Sequence, residues 1–220
     1  EDQQQAKAHY WRSLSMTNQT TTPRISANTN QRTRVLTYTA LMAAISTVVM
    51  FFEFTFPPFP PFLKFDLSGL PILLTAFIMG PVQAIIVTLI KDLFHVLSTT
   101  TGGVGELADF LILSSFAVTA GLIHRKMPSV KGTALACFAG TVAIAIVGAL
   151  ANYYLLIPFF SNIMPIDAII SACNAVTPAI DSLAAYILFG AIPFNVAKGI
   201  VISIVTVVTY KKLGHVMKFL

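Results

Sequence analysis

Nine polar residues stand inside or at the ends of long apolar runs in this chain: Glu53, Lys91, Asp92, His95, Glu106, Asp109, Asn152, Asn195 and Lys198. Polar groups in such runs are costly and usually face a protein interior or a wet cavity. Asn195 and Lys198 are three apart, so a helix puts them on one face. Pro193, just ahead of them, fits a helix start or a kink. Asn offers a donor and an acceptor, and Lys offers a point charge. The pair suits a planar ligand with alternating carbonyl and N–H groups. An internal ion pair of Lys198 with Asp92 or Glu106, serving stability alone, fits the same residues.

Other groupings carry weaker chemistry. His95 with Glu106 or Asp109 has the composition of an acid–base or metal site. No HExxH and no GxSxG occurs, and a structural role for the histidine fits better. Gly102-Gly-Val-Gly-Glu106 lacks the Lys-Ser/Thr ending and the preceding strand of a phosphate loop. It reads as a glycine loop entering a helix, with free N–H groups to meet ligand oxygens, or as a plain tight turn. Cys137 and Cys173 have no ligand spacing, so neither a disulfide framework nor a metal site is signalled.

The elements that must position these residues are membrane helices. The chain has 220 residues, 55% apolar and only 10% charged, with mean hydropathy +0.77. Soluble domains carry about 25% charged residues. Residues 1–33 are different: rich in Gln, Ser, Thr, Asn and Arg, they read as a disordered tail or an appended segment. Residues 34–220 then form one domain, long enough for six spans of about 20 residues.

The expected spans are 35–54, 68–79, 81–97, 106–124, 132–160 and 194–210. Between the first two, Pro57, Pro58, Pro60 and Pro61 forbid a helix. An extended aromatic loop with Lys64 and Asp66 is expected there. Gly80-Pro81 is a tight-turn signal. Residues 161–192, with Pro165 and Pro178, read as a long loop with helical pieces. Arg32/Arg34, Arg125/Lys126/Lys131 and Lys211/Lys212 all fall on one side of this arrangement. That side is cytoplasmic by the positive-inside rule, so both termini lie inside. The basic balance of +5 therefore suits membrane orientation and not nucleic-acid binding. Most of the intramembrane polar residues then gather in the outer half, as a pocket open to the outside would require. Ala40 and Ala44 form a small-residue face on the first span, of the kind that lets helices approach closely.

Four stretches carry a family resemblance: the Phe/Pro loop running into Leu63-Lys-Phe-Asp66, Ile90-Lys-Asp-Leu-Phe-His95, Thr101-Gly-Gly-Val-Gly-Glu-Leu-Ala-Asp-Phe110, and Pro193-Phe-Asn-Val-Ala-Lys-Gly199. From about Arg34 to Lys212 the chain resembles the substrate-binding (S) components of energy-coupling-factor (ECF) vitamin importers, in their riboflavin-binding branch. The resemblance implies an all-α protein of six transmembrane helices in a bacterial cell membrane, with the extended outer loop 1 as a lid. It implies that Asn195, Lys198 and Asn152 hold the flavin ring and that Asp66 and its loop neighbours lie over it. Asp109 stands where the family pattern expects Asn. Phe59, Phe62, Phe65 and Tyr153 are expected as apolar walls, and Gly105 and Glu106 as part of the same site. Loop polar groups would satisfy the ribityl hydroxyls. Ala40 and Ala44 match the face that docks on the coupling subunit.

The function implied is high-affinity riboflavin uptake without a resident cofactor or catalysis. No Walker A sequence occurs in the chain, and the resemblance implies that two ATPase subunits and a coupling subunit supply the energy. An S component for another vitamin, such as thiamine, is the alternative within the family. An intramembrane enzyme built on His95 is the alternative outside it.

Overall fold

A computed structural model describes residues 27–213, except 57–58, 61–62 and 100. Residues 1–26 of the tail expected at 1–33, and the expected wall residue Phe62, lie outside the described residues. Helix α1 is Ala27–Met50. It begins well before the expected Val35, so residues 27–33 of the expected tail are helical. Gln31, Arg32 and Arg34 are good helix formers, and apolar residues are needed only where a helix meets lipid or core.

Loop 1 is tied at its base. Phe54–Thr55 (β1) pairs antiparallel with Lys64–Phe65 (β2), Phe54 opposite Phe65 and Thr55 opposite Lys64. Among the described residues this ribbon is the one departure from an all-helical chain. Helix α2, Gly69–Ile78, follows, with eight of its ten residues buried. Gly80, at φ 106°, makes the turn into α3, Pro81–His95, whose first residue is proline. A 3₁₀ turn, Val96–Ser98, ends α3. Gly102 and Gly103, at φ 59° and 91°, then lead into α4, Val104–Lys126. These left-handed positions favour glycine.

Helix α5 runs Val130–Ala151, passes through a π-helical turn at Asn152–Leu156, and ends at Ile157–Ser161. Helix α6 is Ile166–Val176. Helix α7 starts at Leu183–Ala185, passes through a π turn at Tyr186–Ala191, and continues through Ile192–Leu213. The expected loop 161–192 is therefore partly helical, and the last span begins at Leu183, ahead of Pro193. A proline inside a helix lacks the N–H and clashes with the carbonyl four residues back. Here the same tripeptide, Ile-Pro-Phe, follows each π turn, at 157–159 and 192–194. The N–H of Ile157 reaches the carbonyl of Asn152, and that of Ile192 reaches Ile187, five residues back in both cases. The widened turns accommodate the prolines without ending the helices.

Five helices are long and apolar enough to cross a membrane among the described residues: Gln31–Met50, Pro81–Ser98, Val104–Lys126, Val130–Ser161 and Leu183–Tyr210. Helix α2 is too short for that. Ten residues rise about 15 Å, half of a hydrocarbon core of about 30 Å. It is enclosed by α3, α4 and α7. The main core gathers Leu73, Phe116, Ile144 and Ile202 from α2, α4, α5 and α7. A second cluster joins Leu63 of loop 1, Ile169 and Cys173 of α6, and Tyr186 and Phe194 of α7. Phe138, Ile146 and Ile204 are more than half exposed, as side chains facing lipid would be.

Candidate functional site

A cavity of about 480 Å³ opens between the two clusters, walled by loop 1, α4, α5, α6 and α7. Its size lies within the range of about 300–1,000 Å³ usual for small-molecule sites. Most of the wall is apolar, with Leu63, Ile112, Leu156, Ile169 and Phe194 among its members. Asn152, Asn195 and Lys198 come to the same wall from α5 and α7, each buried.

Each of these groups is already partly held. Asn152 donates to the Gly148 carbonyl at 2.8 Å and accepts from the Tyr186 hydroxyl at 2.5 Å. Asn195 donates to the Ala191 carbonyl at 2.8 Å, which leaves its oxygen and second N–H for a ligand. Lys198 Nζ donates to Asp66 Oδ2 at 2.8 Å and to Asp109 Oδ1 at 3.1 Å. Gly148 makes room for this arrangement: a Cβ there would collide with the Asn195 carboxamide. Asp66, in loop 1 just before α2, also accepts from the Ser68 backbone N–H at 2.7 Å. Burial, the largest single effect, pushes its carboxyl up, but the attraction of Lys198 and Lys91 and the hydrogen bond from Lys198 together hold it below the usual carboxylate range.

A second polar chain runs along another wall. His95 Nδ1 lies 2.8 Å from Glu106 Oε1, and Thr101 Oγ1 donates to Glu106 Oε2 at 3.1 Å. Glu53 lies 4.0 Å from His95 Nε2 and pairs with Lys64 of β2. A buried carboxylate held by a histidine and a hydroxyl is a satisfied group.

The family model for the substrate-specific component of ECF transporters matches residues 34–210. The chain belongs to that family. It is 35% identical over 191 residues to the riboflavin transporter RibU of Staphylococcus aureus (strain TCH60), covering 87% of this chain and 95% of that protein. It is 29% identical over 185 residues to the riboflavin transporter FmnP of Bacillus subtilis (strain 168), covering 83% and 93%. A solved structure described as "Structure and mechanism of the S component of a bacterial ECF transporter" superposes with TM-score 0.69 at 32% identity, covering 85% of this chain and 99% of that one. This S component is thus a helical, multi-pass protein of the cell membrane, of a family of transporters.

Six residues expected at the site line the cavity: Asn152, Asn195, Lys198, Asp66, Gly105 and Glu106. In the glycine loop two N–H groups are already taken: Gly105 N–H donates to Thr101 Oγ1 at 3.2 Å, and Val104 N–H to the Thr101 carbonyl at 3.2 Å, as the tight-turn reading expects. Tyr153 is not on the cavity wall. It is half exposed and packs edge-on against Tyr154, because its neighbour Asn152 takes the inward face of the helix. Phe65 also lies behind the wall, where it contacts Phe54 and Phe194. Phe59 meets Phe194 edge-on at 5.3 Å. Ala40 and Ala44 are exposed on α1. The internal ion pairs considered for Lys198, with Asp92 or Glu106, are replaced by pairs with Asp66 and Asp109.

Sequence reasoning did not single out Tyr186, Phe194 or the α6 residues Ile169 and Ala172. Phe194 stands inside the Pro-Phe-Asn-x-x-Lys run and was legible from it. Tyr186 was not, because its partner Asn152 is 34 residues away.

Proposed function

We propose that this chain is a riboflavin-binding S component that captures the vitamin from outside the cell and presents it for import. One observation carries the reading. Two carboxamides and one ammonium, each with hydrogen-bonding capacity to spare, meet on one wall of a cavity that has apolar surface beside them and a second polar row, with His95, Thr101 and Glu106, on another wall. A flavin ring has apolar faces and one edge of alternating carbonyls and N–H. Lys198 and the N–H groups of Asn152 and Asn195 supply donors, and the Asn195 oxygen supplies an acceptor. The names of the relatives, riboflavin transporters at 35% and 29% identity, favour the same ligand.

Phe194, backed by Phe59 and Phe65, offers an aromatic surface for the ring. Glu106, Thr101 and Glu53 offer oxygens for the ribityl hydroxyls. Loop 1 acts as the lid: its base is the β1–β2 ribbon, and its closure removes the vitamin from water. In the membrane the five long helices and the enclosed α2 make the six transmembrane elements, with both termini cytoplasmic by the placement of Arg32, Arg34, Arg125, Lys126 and Lys131. The chain does no chemistry on its ligand. A coupling subunit and two ATPase subunits supply the energy, and Ala40 and Ala44 mark the face that meets the former.

Purification in detergent tests the reading. The protein is expected to carry flavin absorbance, or to take up riboflavin after the ligand is stripped. Colourless protein whose stripped form ignores added riboflavin overturns it, and competition with thiamine would then identify another vitamin.

A further inference from the structure

Asp109 lies on α4 between two lysines from different helices. Its Oδ2 accepts from Lys91 of α3 at 2.5 Å, and its Oδ1 accepts from Lys198 of α7 at 3.1 Å. An ammonium has three N–H donors. Lys198 directs one at Asp109 and one at Asp66, and the third is left for the cavity that its side chain lines. Lys91 is different. Its side chain is fully buried, with Nζ 2.6 Å from Asp92 Oδ1 and 3.2 Å from Met50 Sδ, and it is not on the cavity wall. It cannot touch a ligand, yet it occupies half of the carboxylate that steers Lys198.

A lysine has a flexible four-carbon stem and a strongly hydrated head. Left alone in a cavity, it samples many directions and gives up that freedom on binding. Two carboxylates from separate elements remove the freedom beforehand. Lys91 in turn fixes Asp109, since a carboxylate held at one oxygen keeps its other oxygen at a set angle. Without Lys91, Asp109 would be free to turn both oxygens to Lys198 and compete with a ligand carbonyl for its donors.

We propose that Asp109 and Lys91 are positioning residues, which together aim the remaining N–H of Lys198 into the cavity and so set the affinity for a carbonyl-bearing ligand. The proposal rests on the riboflavin reading for its binding probe, but it makes a separate prediction for the empty protein. In ligand-free full-length chain in detergent, acylation of amines by a small ester is followed by mass spectrometry, with exposed Lys131 as the internal reference. Asp109→Asn is expected to speed modification of Lys198 several-fold and leave Lys131 unchanged. An unchanged Lys198 rate overturns the proposal.

Riboflavin titrations supply the second arm. A hydrogen bond to a charged group is worth a factor of about 10 or more, so Asp109→Asn is expected to weaken binding about tenfold, and Lys91→Met by less. In a Lys198→Met background neither change should cost further affinity, because residues acting through one group are not additive. Independent, additive losses would mean a merely structural role and would overturn the proposal. Should Asp109→Asn fail to fold, Lys91→Met carries both arms: riboflavin binding should still weaken, while modification of Lys198 should slow, because Asp109 then turns both oxygens to it, and an unchanged rate overturns the proposal. Should wild-type protein not bind riboflavin, the ligand assignment falls and the acylation arm alone decides the positioning role.

Discussion

The hydroxyl of Tyr186 donates to Oδ1 of Asn152 at 2.5 Å, and the bond joins the π-helical turn of α7 to that of α5. Each π turn precedes an Ile-Pro-Phe tripeptide. A π turn inserts one residue into a helical turn, which rotates what lies beyond it. Asn152 and Tyr186 are the first residues of the two turns. Tyr186 is fully buried in the second hydrophobic cluster, so its ring is a rigid support for the bond.

Removing that bond should loosen Asn152 without emptying the core. Tyr186→Phe keeps the ring and deletes the hydroxyl. A buried hydrogen bond contributes about 0.5–1.5 kcal/mol, so riboflavin binding should weaken roughly three- to tenfold. Fluorescence titration of stripped protein measures it. Unchanged affinity would show that the Gly148 carbonyl alone fixes the amide.

Gly148 supports a second expectation. Gly148→Ala improves helix propensity by about 1 kcal/mol. The added methyl, however, meets the Asn195 carboxamide, which is buried and bonded to Ala191. Overpacking of this kind costs about 1–3 kcal/mol, so the steric loss wins. Both the thermal midpoint of the ligand-free protein and its riboflavin affinity should fall. A rise in the midpoint with affinity intact would show that α5 and α7 separate easily at this point.

These two sites show what sequence could and could not reveal. Asn195 and Lys198 were legible because their spacing of three residues is local and the helix face follows from it. Asn152 and Glu106 were legible as polar residues in apolar runs. The partners of Lys198 were not, because Asp66 and Asp109 are 132 and 89 residues away and meet it only through the packing of loop 1, α4 and α7. Pro81 was rightly read as a helix start, but Pro193, which fitted a helix start or a kink, sits inside α7 and not at the start of the last span, because nothing local announces the π turn that accommodates it. Tyr153 failed for a related reason: adjacent residues on a helix point about 100° apart, and the chain put Asn152 inward.

Asp66 gives the site a defined response to acid. Burial raises its carboxyl, and Lys198 and Lys91 together more than offset this, so the folded value lies below the unfolded one. Its contribution to stability is therefore complete above the ordinary aspartate value of about 4. It is lost as pH falls through the lower, folded value. Thermal midpoints of the ligand-free protein should show no contribution from Asp66 to any slope between pH 6 and 8. Below about pH 4 the wild type should lose stability more steeply than Asp66→Asn. Parallel acid limbs in the two proteins would sink this account.

Helix α1 offers a test that separates capture from import. Ala40 and Ala44 are one turn apart and exposed, whereas Ala43 between them is buried in the main core. A large residue at Ala44 therefore meets no side chain of the core, and a large residue at Ala43 must displace one. Ala44→Trp should leave riboflavin affinity in detergent within about twofold of wild type, since overpacking penalties arise only in filled interiors. The same change should abolish uptake in cells that supply the coupling and ATPase subunits, and loss of co-purification with the coupling subunit should accompany it. Ala43→Trp is the control, with binding and folding both impaired. Full uptake by Ala44→Trp would place the docking face elsewhere on the molecule and leave the Ala40/Ala44 pair as ordinary lipid-facing surface.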